Sequence, residues 1–261
     1  MPPMGTPPHV LIETNHRLAS RFYAHAGSAV ALPGALAVHS GYNSTAFNIC
    51  SLTGPTPHLA TVLKTVTSHY DQLRTSSSLW LCEQYAAPPD RAVMLDHGYT
   101  FQQSAPGMLA EAFPAPRHGL TKDLTIRRVE TVQDALIFAH LVSIVFHVSF
   151  PLCQCIYGNL AVWRAPVYGF LAYRVEEPVA CAMVTAEDGV AGFYSVGTLP
   201  HFQGRGYGEK IMRHAAAYSD THLGCRLSVL QSSPAGRKLY DRLGFREFTR
   251  FSIFNRLAVP K

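Results

Sequence analysis

The sequence predicts an α/β (α+β) fold arranged as two domains. The chain has 261 residues, which exceeds the size of one ordinary domain. Both halves alternate short strand-like and helix-like runs, a pattern typical of sheets that are flanked by helices. Hydrophobic residues make up 48% and charged residues 15% of the chain, which is the composition of a globular protein rather than a disordered or fibrous one.

A stretch rich in proline and glycine, FPAPRHGLTKDL at residues 113–124, separates the two halves. We therefore expect an N-terminal domain at residues 9–119 and a second domain at residues 120–261. The first eight residues, MPPMGTPP, contain four prolines. Because proline fixes φ and removes a backbone donor, residues 1–8 are expected to be a disordered N-terminus that starts neither a helix nor a strand.

Hydrophobic periodicity predicts the elements of both halves. In the first half, it predicts a helix, a strand, a second helix and a second strand, at residues 9–26, 45–53, 57–73 and 79–85. In the second half, the expected strands lie at residues 123–129, 167–176, 178–187, 190–200, 225–231 and 245–255, and the expected helices at 131–149, 204–219 and 234–242. The helix after the strand at 190–200 is a crossover connection, which requires a parallel neighbouring strand and predicts a ligand crevice at the strand ends.

The segment TLPHFQGRGYGEKIMRHA, residues 198–215, places three alternating glycines between that strand and that helix. A helix N-terminus has backbone N–H groups without partners and the positive end of the helix dipole. Glycines 204, 206 and 208 leave no Cβ between such amides and an anion. The segment therefore predicts a phosphate-binding loop, with a tight turn into a packed helix as the alternative. The spacing is neither GxGxxG nor GxxxxGK[ST], the two common nucleotide patterns.

This segment resembles motif A of the GCN5-related N-acetyltransferase (GNAT) family, whose core pattern is [QR]xxGx[GA]. Gln203, Gly206 and Gly208 fill that pattern. A second stretch, LQSSPAGRKLYDRLGFREF at residues 230–248, is similar to motif B of the family and ends in its YxxxGF signature. The resemblance covers roughly residues 123–258 and depends on two independent motifs in the expected order.

The resemblance implies a tandem GNAT-like fold, with a mixed central sheet, a splayed parallel strand pair and flanking helices. The first half resembles a degenerate N-terminal GNAT-like domain. This resemblance depends on less specific features, namely Asn48 and the short stretches LW, PPD, HGY and PGML. It lacks [QR]xxGxG, so we expect that it does not bind coenzyme in the same way. The second half is then the catalytic domain, and it uses acetyl-CoA (coenzyme A) as its cosubstrate.

The resemblance also assigns roles to particular residues. In the family, the loop binds the pyrophosphate of acetyl-CoA, which here implicates Gln203, Gly204, Arg205, Gly206, Tyr207 and Gly208. Backbone groups of Val196 and Thr198 would pair with the pantetheine arm, one of their amides polarising the thioester carbonyl. Tyr240 falls at the position of the general acid, with core packing as the alternative. Ser233 replaces an asparagine that often touches the coenzyme.

The group that accepts the proton of the amine is not assigned. Many family members have an acid at the position of Gly192, where this chain has no side chain. Four residues around the strand at 190–200 are open alternatives for a water relay, namely Glu187, Asp188, Tyr194 and His201.

The apolar pattern of residues 135–150 predicts a buried helix that carries two histidines seven residues apart. We expect either ordinary core packing or an apolar wall that selects a hydrophobic or aromatic amine. The side chains concerned are Phe138, His140, Phe146, His147 and Phe150.

Other ligand classes are not expected. The thirteen histidines lack HExxH spacing and the six cysteines lack paired CxxC spacing, so no metal site is predicted. The 22 basic residues are dispersed at a net charge of +5, which does not indicate nucleic-acid binding. Polar residues interrupt the most apolar segment, residues 135–153, so no membrane span is predicted. Free thiols in a reducing compartment predict a cytoplasmic protein.

The resemblance implies an N-acetyltransferase that moves an acetyl group from acetyl-CoA to a primary amine of a small molecule or peptide. A first alternative is an acyl-CoA-binding pseudoenzyme, a sensor or interaction module without transfer activity. A second alternative is a protein acetyltransferase with an open groove. Two copies of the chain could also assemble as a homodimer.

Overall fold

The computed structural model describes residues 5–86, 91–116 and 123–258. Its helices are α1 (Pro8–Phe22), α2 (Leu59–Gln72), α3 (Arg91–Asp96), α4 (Val132–Phe146), α5 (Phe150–Tyr157), α6 (Tyr207–Leu223) and α7 (Arg237–Arg242). Its strands are β1 (Ser28–Leu32), β2 (Ala35–His39), β3 (Ile49–Leu52), β4 (Ser77–Cys82), β5 (Thr100–Ala110), β6 (Leu124–Arg128), β7 (Val167–Arg174), β8 (Glu177–Glu187), β9 (Val190–Thr198), β10 (Leu227–Gln231) and β11 (Arg246–Arg256). The mixed α/β class is confirmed.

The chain forms two compact units. Unit 1 comprises the described residues within Met1–Ala19 and Met108–Arg246, and unit 2 those within Ser20–Gly107 and Glu247–Lys261. The expected boundary near residue 120 and the PPD cue at 88–90 lie outside the described residues. Domains at 9–119 and 120–261 stay a prediction, from which the units differ because each takes a terminal segment from the other half of the chain.

The N-terminus departs from its prediction. Residues 1–4 lie outside the described part of the chain, and Pro8 is the first residue of α1. The expectation that no helix begins within residues 1–8 is therefore wrong. Proline is tolerated in the first turn of a helix, where its missing N–H would have had no partner in any case.

Unit 1 contains a mixed sheet with strand order β10-β9-β8-β7-β6. Strands β6 to β9 pair antiparallel, and β9 pairs parallel with β10. Gly208 of α6 lies against the Thr198 side chain, and Gly197 lies against Val145 of α4. Because successive residues of a strand point to opposite faces, α6 and α4 cover opposite faces of this sheet.

The expected helix at 131–149 is α4, which ends three residues earlier than predicted and is followed by α5. A capping box between Thr131 and Asp134 starts α4. The helix ends at Phe146, because His147 adopts a left-handed conformation with φ of 54° and α5 begins at Phe150 with Pro151 in its first turn. Only the predicted end of the helix is late, since apolar residues continue past Phe146 and hide the break.

Unit 2 has strand order β1-β2-β3-β4-β11-β5. Strands β3 and β4 pair parallel, and α2 connects them. Asn48, just before β3, is buried and bonds to the backbone of Ser40, Tyr42 and Ser76. This amide network joins the start of β3 to neighbouring loops, which gives Asn48 a structural role.

Two absences hold for the residues that the structure describes. No helix among them is long and apolar enough to cross a membrane. Nor do they contain a group of three or more histidine, cysteine or acidic side chains able to hold a metal ion.

Candidate active site

Strands β9 and β10 separate partway along unit 1. Their parallel register pairs Leu227 with Val190 and ends where Val229 faces Gly192. From there, β9 continues to Thr198 and β10 to Gln231 without further pairing between them. The backbone groups on this edge of β9 are therefore available to an extended ligand, in the way that an unpaired strand edge accepts another chain. This is the splayed pair that the resemblance implied.

A β-bulge lies in the divergent part of β9. The register with β8 shifts between Cys181 and Met183, and Ser195 adopts φ of 48°, a conformation that non-glycine residues rarely hold. Two contacts hold Ser195: the hydroxyls of Tyr157 and Ser195 lie 3.1 Å apart, and the Cys181 thiol donates to the Ser195 carbonyl at 3.4 Å. Burial raises the pKa of the Cys181 thiol to about 12, so this sulfur stays protonated and inert.

The glycine loop connects β9 to α6 with open space around it. Gly204 and Gly206 have φ of 75° and 80°, and a Cβ built on either would meet no atom within 4 Å. Helix α6 begins at Tyr207, and the first intrahelical bond runs from the Lys210 amide to the Gly206 carbonyl at 3.0 Å. The amides of residues 207–209 therefore precede the ladder and have no acceptor one turn earlier. The loop fits a polyanionic ligand.

The side chains of this segment do not all face that space. Tyr207 is 2% exposed, and its hydroxyl donates to Asp123 at 2.8 Å, so only its backbone amide can reach a ligand. This bond is the main cause of a lowered pKa for Asp123. The Gln203 side chain donates to the Thr198 carbonyl at 3.2 Å, which closes the turn. Arg205 is exposed, with its guanidinium 5.4 Å from the Phe202 ring centre.

Close contacts bring the loop, β9 and the motif B segment together. A Cβ on Gly208 would lie 3.4 Å from Leu239 Cδ2 and 3.5 Å from Thr198 Oγ1. Leu239 directly precedes Tyr240 on α7. Ser233 is exposed, and its hydroxyl accepts from the Gly236 amide at 3.2 Å, so it shapes the turn that starts α7.

Tyr240 is a buried phenol beside this junction. It is 8% exposed, with its ring 5.8 Å from that of Phe245. A Cβ on Gly236 would lie 2.6 Å from Tyr240 Cε2, so glycine is required for the ring to sit here. Burial raises the pKa of Tyr240 to about 12. The hydroxyl makes no hydrogen bond to another described residue, and it keeps its proton at neutral pH.

The four candidates for the group that accepts the amine proton lie in different parts of unit 1. Glu187 and Asp188 are exposed in the β8–β9 turn, and His201 is exposed in the short turn Pro200–Phe202. Tyr194 is half-buried on β9, and its hydroxyl donates to Asn15 Oδ1 at 3.0 Å.

Asn15 is a site residue that sequence reasoning missed. It comes from α1, and a Cβ on Gly192 would lie only 1.7 Å from Asn15 Oδ1. The Asn15 amide therefore occupies the space next to residue 192. No motif marks Asn15, because its partners lie on distant β8 and β9.

Two of the aromatic side chains at 135–150 are solvent-exposed. Phe138 is fully buried against Tyr157 and Trp163, whereas Phe146 and Phe150 are exposed. His140 packs edge-on against Phe150, with ring centres 5.4 Å apart. The α4 helix that would have placed His140 and His147 on one face ends before His147. An apolar wall for the acceptor stays a prediction.

Comparisons with known proteins identify the domain type. Residues 166–247 match the acetyltransferase (GNAT) domain model. No curated protein sequence matches the chain significantly.

Solved structures show a similar fold. A GCN5-related N-acetyltransferase from Kribbella flavida has a TM-score of 0.73 at 17% identity, over 97% of this chain and 96% of that one. One from Sphaerobacter thermophilus has a TM-score of 0.57 at 17% identity, over 87% and 78% of the two chains. A tandem GNAT protein from the clavulanic acid biosynthesis pathway has a TM-score of 0.53 at 13% identity, over 89% and 86%. The chain therefore carries an acetyltransferase (GNAT) domain and has the fold of the GCN5-related N-acetyltransferases.

Proposed function

We propose that this protein is an N-acetyltransferase that moves the acetyl group of acetyl-CoA directly to a primary amine of a small molecule or peptide. The observation that carries the proposal is the separation of β9 from β10 after Gly192 and Val229, next to a glycine loop with unpartnered amides. A strand edge and an anion-binding loop in one crevice suit a ligand with an amide-bearing arm and a diphosphate.

In this proposal, the chain contributes three groups to the chemistry. Loop amides from Gly204 to Gly208 hold the diphosphate, and Gln203 and Ser233 shape the loop and the motif B turn. The divergent edge of β9 holds the arm, and an amide of Val196 or Thr198 stabilises negative charge that develops on the acyl oxygen. Acetyl-CoA supplies the activated thioester.

Tyr240 is the proposed proton donor to the departing sulfur. Its raised pKa, a result of burial, keeps the phenol protonated at every working pH. The same shift makes full proton transfer to a thiolate unfavourable, because an ordinary thiol has a pKa of about 8.5. The step balances because the attacking amine releases one proton for each proton that Tyr240 gives to the sulfur, which restores the phenol and leaves an amide and a free thiol.

The direct test combines acetyl-CoA titration calorimetry with a CoA-release assay over a panel of primary amines. Gly206→Ala is the informative variant, because Gly206 is left-handed and lies in the loop. Gly224→Ala is its matched control, since Gly224 is left-handed at the other end of α6 and also has open space around it. Both variants are expected to lose about 1 to 2 kcal/mol of stability. Only Gly206→Ala should weaken acetyl-CoA binding, by about tenfold or more. Equal affinities would reject the loop assignment.

A second candidate is an acyl-CoA-binding sensor without transfer. The observation that favours it is Gly192, where Asn15 fills the space next to a position that often carries an acid. Tight acetyl-CoA binding with no amine-dependent CoA release would support the sensor over the enzyme.

We also propose a cytoplasmic location. All six cysteines lie within the described residues and are free thiols, which suits a reducing compartment. Fractionation of the native host would test it.

A further inference from the structure

A cavity of about 320 Å³ lies between α1 and the turn that joins β8 to β9. Its described lining consists of residues of unit 1, namely Thr6, Val10, Leu11, Thr14, Asn15, Glu187, Asp188 and Val190. Ligand pockets in proteins range upwards from about 300 Å³, and most combine apolar walls with a few polar groups. The cavity is therefore large enough for one small organic molecule.

One side of α1 forms a wall of this cavity. Val10 and Thr14 are one helical turn apart, and so are Leu11 and Asn15, so all four lie on the same side of the helix. Val190, the first residue of β9, adds a buried branched side chain. The aliphatic side chains of Val10, Leu11 and Val190 give the cavity a surface that suits an alkyl chain.

An anchored hairpin turn carries the charges of the cavity. Glu187 pairs with Val190, and the two residues between them, Asp188 and Gly189, have left-handed φ of 51° and 78°. Two positive φ values are typical of the type I′ turn, whose twist matches that of the flanking strands. The Gly189 carbonyl accepts from two amides at the start of β10, at 3.0 and 3.3 Å. The two acidic residues therefore start from fixed backbone positions.

The described lining contains two acidic side chains and no basic one. Glu187 and Asp188 are exposed, and neither carboxylate forms a hydrogen bond or an ion pair with another residue in the described part of the chain. An ammonium group offers several N–H donors and the opposite charge, and such charge-assisted bonds are about twice as strong as neutral ones. The charge of the cavity therefore complements an organic cation.

This cavity is distant from the proposed transfer chemistry. Val190 lines it, whereas the amides proposed to stabilise the acyl oxygen belong to Val196 and Thr198 on the same strand. An extended strand covers about 20 Å from Val190 to Val196. A small molecule whose ammonium is held at the β8–β9 turn therefore does not present that nitrogen to the acyl carbon.

We propose that this cavity binds a primary alkylammonium ion, with its alkyl chain against α1 and Val190 and its ammonium at the carboxylates of Glu187 and Asp188. The site goes beyond the proposed acetyl transfer, because the amine bound here keeps its charge and no bond to it forms or breaks. The cavity holds an amine as a ligand and not as the acceptor.

The first test is an NMR titration of the full-length protein with n-hexylamine, which is charged at pH 7, and with the neutral hexan-1-ol. Hexylamine should shift the backbone amide signals of Leu11, Asn15 and Gly189 around the cavity. Hexan-1-ol should bind at least about tenfold more weakly, because it cannot form charge-assisted bonds. The affinity should rise by about fourfold for each CH₂ added between butylamine and hexylamine.

The second test is the double variant Glu187→Gln/Asp188→Asn. Both changes keep the shape of the side chain, and asparagine tolerates the left-handed φ of Asp188, so the turn is retained. This variant should bind hexylamine about tenfold more weakly. The matched control is Glu176→Gln/Glu177→Gln, which neutralises two exposed acids in the β7–β8 hairpin, at the opposite end of β8. The control should keep its affinity within about twofold.

Equal affinity for hexylamine and hexan-1-ol, or an equal loss in both double variants, would overturn the proposal. Shifts confined to the loop at residues 204–208 and to the divergent part of β9 would also overturn it, since the amine would then occupy the crevice alone. Binding is measured without turnover, so the two proposals fail separately. Hexylamine binding in the cavity without CoA release from any amine would reject the proposed function and keep this site. CoA release without shifts around the cavity would reject the site alone.

Discussion

Both units contain a strand, a helix and a parallel strand in succession, but the two connections differ in their available donors. In unit 1, β9 enters α6 through two left-handed glycines, and the amides at the start of α6 have no backbone partners. In unit 2, β3 enters α2 through the segment TGPTPH, residues 53–58.

The segment in unit 2 has few backbone N–H groups that could bind a ligand. Pro55 and Pro57 have no N–H. The Thr53 amide donates to the Gly34 carbonyl and the Thr56 amide to the Tyr85 carbonyl, at 3.0 and 2.7 Å. The same topology therefore gives a loop with open space and available amides in one unit and a closed loop in the other, so the two loops differ in their donors and not in strand order.

The largest effect is expected for the buried Tyr240 of unit 1, which is compared with the buried Tyr70 of unit 2. Tyr240→Phe should lower kcat by about a thousandfold, because it removes the proposed proton donor, and leave the KM for acetyl-CoA within about twofold. Since burial raises the pKa of Tyr240 to about 12, the wild-type rate should show no Tyr240 limb up to pH 10. Stopped-flow detection of released CoA measures both.

The matched control for Tyr240→Phe is Tyr70→Phe in unit 2. The Tyr70 hydroxyl is buried and donates to the Val38 carbonyl at 2.9 Å. Its loss should cost about 1 kcal/mol of stability and leave turnover unchanged. A loss of less than about threefold in Tyr240→Phe would remove Tyr240 from the mechanism, since general acids contribute at least a hundredfold.

The next effect concerns how the free energy of unfolding of unit 1 depends on pH. Glu13 on α1 is fully buried, and burial raises the pKa of its carboxyl to about 8, although Arg17 Nη1 lies 3.2 Å away and opposes the shift. A raised carboxyl pKa means that the folded unit holds a proton that the unfolded chain releases. Its contribution is complete below pH 4.5 and is lost as the pH rises towards 8.

The wild-type protein should therefore lose about 3 kcal/mol of its free energy of unfolding between pH 4.5 and pH 7. Glu13→Gln should remove this loss. Amide hydrogen exchange at β9 reports this for unit 1, and exchange at β3 serves as the comparison in unit 2. The exposed Glu187→Gln is the control variant. An unchanged pH dependence in Glu13→Gln would contradict the assignment.

A smaller difference is expected between two strained residues. Ser195 in unit 1 and Arg74 in unit 2 both have left-handed φ, of 48° and 52°. Arg74→Gly should stabilise by about 1 kcal/mol without a kinetic effect, because Arg74 only ends α2. Ser195→Gly also loses the contact with the Tyr157 hydroxyl, so kcat/KM should fall by about tenfold. Thermal unfolding and kinetics of both variants would separate strain from function, and equal kinetics would contradict a role for the bulge.

The smallest effect is expected at the exposed edge of the loop. Arg205→Ala should weaken acetyl-CoA binding by about twofold to threefold, because an exposed charge is screened by solvent. The effect should vanish at high salt. Lys238→Ala, which removes an exposed basic side chain within the motif B segment, is the comparison. A loss above about thirtyfold in Arg205→Ala would indicate a desolvated contact instead.

The sequence predicts best those features that depend on neighbouring residues. The glycines of the loop, the strand before it and the helix after it lie within one short segment, so their spacing alone indicates the strand–loop–helix arrangement. The end of α4 before His147 was predicted too late, although Pro151 suits the first turn of a new helix better than the interior of a longer one. Apolar periodicity was given too much weight there.

Contacts between distant residues could not be predicted in this way. Asn15 and Tyr194 are 179 positions apart, and neither belongs to a motif. The direction of the Tyr207 side chain could not be predicted either, because its place in the loop gave no sign that it would turn towards Asp123. Pairings of this kind depend on the packing of α1 against β9 and on the sheet edge.

The Asn15 side chain restricts how residue 192 can evolve. Any side chain at 192 would overlap with the Asn15 amide, so a carboxylate cannot arise there by one substitution without displacing α1. Shortening residue 15 must come first, and that step alone leaves the Thr185 and Tyr194 hydroxyls without their shared acceptor. Descendants of this gene should therefore change both positions together or neither.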